Sequence, residues 1–227
     1  MDCLHVHHWN PFWTNNLRIF LLSDNNRKTL LEAYQKSDIK LLQAGEFLSL
    51  WNGIDKAIEE IGPVFFKLSS ISPKDSYYKS SNGEPVLKSS NTEKLFNVFL
   101  TSMRIGEEIE DEGDFAIILA PWNDKIKFDN EYRCFVFYGV CEAIAKMCDE
   151  SDPNARLTLL INNYINKHLH LFPSKTVALD IIVTEQDEII FVEFNPIDDE
   201  IDNFGILRRD KLLSTRAMLA LVEPPKK

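Results

Sequence analysis

Glycine is scarce. Eight occur in 227 residues. None falls in GxxxxGK followed by Ser or Thr, and none in GxGxxG, so neither a P-loop nor a dinucleotide or kinase glycine loop is present. Basic charge is also in deficit. The formal net charge is −10 at pH 7, whereas a chain that grips nucleic acid non-specifically needs a basic face. That balance still leaves room for a local basic pocket around a phosphate ligand. No apolar run approaches the ~18 residues of a membrane-spanning helix. The opening MDCLHVHHWNPFW lacks the basic-then-apolar layout of a leader peptide. Cysteine is limited to Cys3, Cys134, Cys141 and Cys148, with no CxxC pair. Free thiols in a reducing cytosol are therefore the expectation. No unit recurs at ~20–50 residues, which excludes solenoids and propellers.

What is present is an ordinary globular balance, 44% hydrophobic and 26% charged. A helical pattern lies near 26–36, after the short apolar stretch LRIFLL at 17–22. A second helix is expected over GEFLSLWNGIDKAIEEIG, with Phe47, Leu48, Trp51, Ile54, Ile58 and Ile61 at helical spacing and Gly62-Pro63 as its stop. The period then changes. VFFKLSS (64–70) reads as a strand, 72–85 as a polar loop and VLKSS (86–90) as a short strand. Residues 91–111 read as one helix with an apolar stripe of Leu95, Phe99 and Met103, capped by Ser90 or Asn91. FAIILAPW (115–122) is a buried strand broken by Pro121, 131–147 a hairpin turning at Tyr138-Gly139, and 155–172 a helix. Residues 176–196 form two strands around a polar turn, and about 205–222 is helical. Strands and helices mix without regular βαβ alternation, so the fold class is α+β.

The last hairpin carries the first chemical signal. In IIFVEFNP (189–196), Glu193 and Asn195 interrupt a strand that is otherwise apolar. A four-residue loop over Glu185–Glu188 pairs Thr184 with Ile189 and, further along, Asp180 with Glu193. Alternation then puts Asp180, Glu193 and Asn195 on one face. Two carboxylates forced together repel unless a cation joins them or one is protonated. With an amide oxygen added, the donors are all hard oxygens, which suit Mg²⁺ rather than zinc. Such a site completes its shell with water and phosphate oxygens. The alternative is an ordinary edge hairpin with a wet polar face.

The positive charge for a phosphate ligand comes from Lys67, Lys88 and Arg133, each inside an otherwise apolar strand, where a charge without a partner is costly. Each lysine alone reads equally as a snorkelling surface residue. The loop after Lys67 adds Ser69, Ser70, Ser72, Lys74 and Asp75, whose hydroxyls and backbone N–H groups suit phosphate oxygens. His5, His7 and His8 lack acids or cysteines at zinc spacing and read as surface or core. Trp9, Phe12 and Trp13 read as packing or a docking patch.

Taken in order, FFKLSSISPKDS, VLKSS, ILAPW, EYRCFV, LDIIV and VEFNP resemble the cell-division-cycle-123 family, a divergent clade of the ATP-grasp fold. The resemblance spans about 61–205 and implies Mg–ATP as ligand. By it, Lys67 contacts the α-phosphate, and Ser70, Ser72, Lys74 and Asp75 lie in a mobile loop over the phosphates. Lys88 joins this nucleotide-binding set. Leu119, Ala120, Pro121 and Trp122 form the hinge that meets adenine, Arg133 faces phosphate, and Lys146 stands for the family's basic position after the arginine strand. Asp180, Glu193 and Asn195 hold Mg²⁺; relatives usually carry Asp at the position of Glu193. Asp198, Asp199 and Asp202 read as a solvated run.

The resulting expectation is an ATP-grasp-like α+β protein. It has an N-terminal cap and partner-binding region (1–60), a core of two lobes closing over Mg–ATP (61–205), and a C-terminal helix and tail (206–227). The resemblance implies an ATP-dependent chaperone that assembles a translation initiation factor 2-like complex through its γ-subunit-like GTPase. The alternative is an ATP-dependent ligase, and a third reading is a fold that binds no nucleotide. The sequence reading also expects Asp180→Ala to abolish Mg-dependent ATP affinity while leaving the fold intact.

Overall fold

The computed structural model describes residues 17–69, 71–78, 86–111, 113–147, 153–195 and 197. Ser70, Asp198, Asp199, Asp202, the N-terminal histidines and tryptophans, Cys3, Cys148 and the helix expected near 205–222 lie outside them. The described residues fall into two compact units, dividing between Trp122 and Asn123.

The first unit contains strand β1 (Arg18–Leu21), helices α1 (Asp24–Lys36) and α2 (Phe47–Ile61), strands β2 (Val64–Leu68) and β3 (Lys88–Ser89), helices α3 (Thr92–Leu100) and α4 (Met103–Glu110), and strand β4 (Ala116–Pro121). The strands form an antiparallel sheet in the order β1-β4-β2-β3. The LRIFLL stretch is thus the edge strand β1, and the second expected strand shrinks to two residues. Helix α1 starts at Ser23, whose side chain accepts from the N–H of Asn26. It ends at Ser37 in the left-handed region (φ 50°), with the Ser37 N–H turned back to the Ala33 and Tyr34 carbonyls. Helix α2 ends where Gly62 takes φ 81° and donates to the Ile58 carbonyl.

The core of this unit joins Leu30, Phe47, Trp51, Ile54, Phe96, Phe99 and Ile105 from the helices to Phe66, Ile117 and Leu119 from one sheet face. Residues 17–60 and 61–122 share it. Two stripe residues are corrected. Leu48 and Met103 are exposed, and Leu50 takes the inward place in α2. The single helix expected over 91–111 is two helices. Thr101 closes α3, and the Ser102 side chain caps α4 by accepting from the N–H of Ile105. Helix α4 lies close to α1, because a Cβ at Gly106 would overlap the Tyr34 ring.

The second unit contains strands β5 (Glu131–Phe137) and β6 (Val140–Lys146), helix α5 (Ala155–His168), and strands β7 (Val177–Val183) and β8 (Ile189–Asn195). Its sheet is antiparallel in the order β6-β5-β7-β8. The β5–β6 turn falls on Tyr138 (φ 52°) and Gly139 (φ 84°), as the sequence predicts. Helix α5 stops at His168 and gives way to a 3₁₀ turn over Leu169–Leu171. The expected α+β architecture with antiparallel sheets is the one observed.

Candidate functional site

The β7–β8 hairpin reaches the expected pairing by a different route. Thr184 N–H bonds to the Glu188 carbonyl, and Val183 rather than Thr184 pairs with Ile189. That start is one residue out of the predicted register. A bulge between Asp180 and Ile181 on the β7 side leaves Val192 as an extra residue in β8. Beyond it Asp180 pairs with Glu193, Leu179 with Phe194 and Ala178 with Asn195. The bulge restores the face on which Asp180, Glu193 and Asn195 stand together. The acidic turn itself is tied down: Glu188 pairs with Lys125 at 2.6 Å, Glu185 with Lys127, and Asp187 with Arg156.

A second strand pairing completes the row. Arg133 on β5 lies directly opposite Asp180, so Ala145, Arg133, Asp180 and Glu193 cross the four strands in line. Arg133 grips the carboxylate with both arms of its fork, Nε donating to Oδ1 and Nη2 to Oδ2, each at 2.7 Å. Asn195 Nδ2 donates to the same Oδ2 at 3.1 Å. The Asn195 amide thus turns its N–H toward Asp180, which leaves its carbonyl oxygen as the acceptor for other ligands. The Asp180 side chain is 0% exposed and the Arg133 side chain 8%. Burial pushes the Asp180 carboxyl up to about 6, against the pull of Arg133, with Glu193 and Glu131 adding to the rise. Burial opposes the Arg133 charge too, but the bond to Asp180 and the three carboxylates outweigh it and hold the guanidinium above its ordinary value. The two-armed bond has the geometry of a guanidinium–carboxylate ion pair.

The sequence reading overlooked Glu131. It is buried, two residues before Arg133 and therefore on the same strand face. The signal was available in EYRCFV, where an acid sits at i−2 from the arginine. Lys146 pairs with Tyr132, whose face is the one opposite to that of Arg133, so the sheet does not bring it to the acidic row. Cys134 and Cys141 are free thiols, and burial pushes the Cys134 thiol well up.

In the first unit, Lys67 on β2 is 1% exposed and pairs with Ile118. It stands on the sheet face away from the helical core. Phe65, Leu87 and Ala120 are buried in a separate apolar cluster there, with Leu17, Val86 and Trp122 packed against them. Lys88 lies opposite Phe65, with its Nζ 5.7 Å from the centre of the Trp122 ring. Of the expected hinge, Leu119 points into the helical core, and the Trp122 N–H is bound to the Pro63 carbonyl at 2.7 Å. Ser72 is buried and Lys74 exposed. Asp75 is drawn to the start of α4, accepting from Ser102 Oγ at 2.6 Å and from the Arg104 N–H at 3.1 Å. Burial acts to raise its carboxyl, but these bonds and the Arg104 charge hold it below the usual carboxylate value.

Arg133, Asp180 and Glu193 thus stand in one row, with Asn195 beside it. The D123 family model matches residues 21–207. The chain belongs to the D123 family. Its fold resembles that of Cdc123 from Schizosaccharomyces pombe, with a TM-score of 0.66 at 20% identity, covering 88% of this chain and 86% of that one. The C-terminally truncated form of Cdc123 from the same organism gives a TM-score of 0.68 at 19% identity, covering 89% and 87%. At such identity the likeness is one of fold. No curated protein sequence matches the chain. Among the described residues of this D123 member, no helix is long and apolar enough to cross a membrane.

Proposed function

We propose that this D123-family protein is an ATP-grasp-type binder of Mg–ATP that serves as an assembly chaperone for a translation initiation factor 2-like complex. The observation that carries the binding reading is the row of Arg133, Asp180 and Glu193 with Asn195 beside it. An arginine is the natural phosphate partner, and two carboxylates with an amide oxygen are the donor chemistry of Mg²⁺. Asp180, Glu193 and the Asn195 carbonyl would hold the metal. When bound, the cation would neutralise phosphate charge. We ascribe to Lys67, Ser70, Ser72 and Lys74 contacts with phosphate, and to Ala120, Pro121 and Trp122, with Phe65 and Leu87, contacts with the nucleobase. Lys88 stays in the nucleotide set through its place beside Trp122. The assembly role rests on the family. Nucleotide would bias partner binding through its differential affinity for two states of the chain.

The test is calorimetry of ATP binding with and without Mg²⁺, on the wild type and on Glu193→Gln. Glu193 is half-buried, and the two bonds between Arg133 and Asp180 do not involve it. The wild type should bind ATP more tightly with Mg²⁺, and the variant should lose that metal-dependent gain, by more than about tenfold. No ATP binding by the wild type in either condition would overturn the reading.

A further inference from the structure

The resemblance implies a mobile loop after Lys67, yet residues 71–78 are fastened at both ends. At the near end Ile71 and Leu68 exchange two backbone bonds, at 3.0 and 3.3 Å, and Ile71 packs on the helical core. At the far end Asp75 turns both oxygens to the start of α4. Oδ1 accepts from Ser102 Oγ at 2.6 Å and Oδ2 from the Arg104 N–H at 3.1 Å. Ser102 is buried and also accepts from the Ile105 N–H. Ser76 Oγ lies 2.6 Å from Thr101 Oγ1. Tyr78 donates its N–H to Ser76 Oγ at 3.2 Å and packs on the same core as Ile71. Between these anchors stand Ser72 and Pro73, both buried, and Lys74, exposed. The Lys74 N–H closes this arch on the Ser72 carbonyl at 2.8 Å.

We propose that Asp75 is a positioning residue of the nucleotide site: it touches no ligand, and it fixes the Ser72–Lys74 arch by holding Ser102 and Arg104. This rests on the reading above, which gives Ser72 and Lys74 to phosphate. A carboxylate set beside phosphate would repel it, and both Asp75 oxygens are engaged by α4 instead. A loop that orders only when its ligand arrives loses backbone freedom at that moment, and affinity falls by that cost. An arch anchored at both ends has lost that freedom already on folding. The break between α3 and α4 supplies the anchor. In one unbroken helix over 91–111 the Arg104 N–H would bond the Leu100 carbonyl and could not serve Asp75. The break therefore ties the end of a core helix to the loop that follows Lys67.

The experiment is calorimetry of ATP, with and without Mg²⁺, on the wild type, Asp75→Ala, Asp75→Asn and Ser102→Ala, each below its melting temperature. Asp75→Ala should bind ATP about tenfold more weakly in both conditions, the order of effect of losing a group that orients a ligand's contacts. Its gain from Mg²⁺ should equal that of the wild type. Asp75→Asn keeps an oxygen for the Arg104 N–H and should restore most of the affinity. Asp75→Ala combined with Ser102→Ala should lose less than the product of the two single losses, because they share one contact. Hydrogen exchange over residues 71–78 of the ligand-free protein should quicken in Asp75→Ala and not in Asp75→Asn. Where thermal melting shows Asp75→Ala unfolded, Ser102→Ala decides, by the same weakening of ATP in both conditions. Unchanged ATP affinity in the folded variant would overturn the inference. So would loss of the Mg²⁺ gain in Asp75→Ala, which would make Asp75 a metal contact. Failure of the nucleotide reading would appear separately, as absent ATP binding in the wild type.

Discussion

Asp180 and Arg133 are joined two-handed inside the second unit. Their two 2.7 Å bonds are made where neither side chain meets much water. Removing one partner of such a pair strands the other, at a cost of about 3–5 kcal/mol. Asp180→Ala is therefore expected to destabilise the chain by that order, read as a lower midpoint in chemical denaturation, and not only to weaken metal binding. An unchanged midpoint would mean that the guanidinium finds water or another acceptor. This replaces the expectation from sequence that the substitution leaves the fold intact. What the sequence does reveal is that a carboxylate at 180 and another at 193 share a strand face. It does not reveal that the cation answering Asp180 lies 47 residues away, because no local pattern encodes a partner on a different strand.

At the scale of elements, the break between α3 and α4 depends on the loop before β3. Asp75 bonds the Ser102 hydroxyl and the Arg104 N–H, so it sits against the positive end of α4. Its carboxyl is held below the ordinary value of 3.8. A carboxyl lowered on folding contributes stability above its unfolded pKa and loses it as pH falls through the folded one. The wild type should therefore be more stable than Asp75→Asn by a constant amount above about pH 4. That difference should shrink as pH falls below it, in thermal melts taken from pH 5 downward. A difference independent of pH would mean the cap does not depend on charge. The capping residues themselves are legible in sequence. Ser23, Asn91 and Asn154 all stand where their side chains accept the first free N–H groups. The interruption at Thr101-Ser102 is not legible, because residues 91–111 keep an apolar helical period across it.

At the scale of the whole molecule, the division between Trp122 and Asn123 separates two sheets, each with its own strand order. Among the described residues, the main apolar core of the first unit runs from Leu30 to Leu119 and takes none from beyond the division. A fragment of residues 13–122 should therefore unfold in one cooperative transition, followed by near-ultraviolet circular dichroism as its clustered aromatic rings, Trp51 on Phe96 among them, lose their packing. A broad, non-cooperative loss of signal would show that this core does not stand alone.

The sequence by itself determined the element types, most of their ends, the α+β class and the family. These depend on local periodicity, on capping and turn residues, and on motif order, all of which are read along the chain. It also placed Asp180 opposite Glu193, although from a starting register that the structure corrects by a bulge at Val192. Tertiary structure alone decided that Arg133 closes on Asp180, that Asp75 turns to a helix end, that Glu131 joins the acidic face and that Lys146 stands on the other side of the sheet. Each of those outcomes is set by the register between strands or by a contact distant in sequence. A slip of one residue in pairing sends a side chain to the opposite face, and nothing in the local pattern records which register the folded sheet adopts.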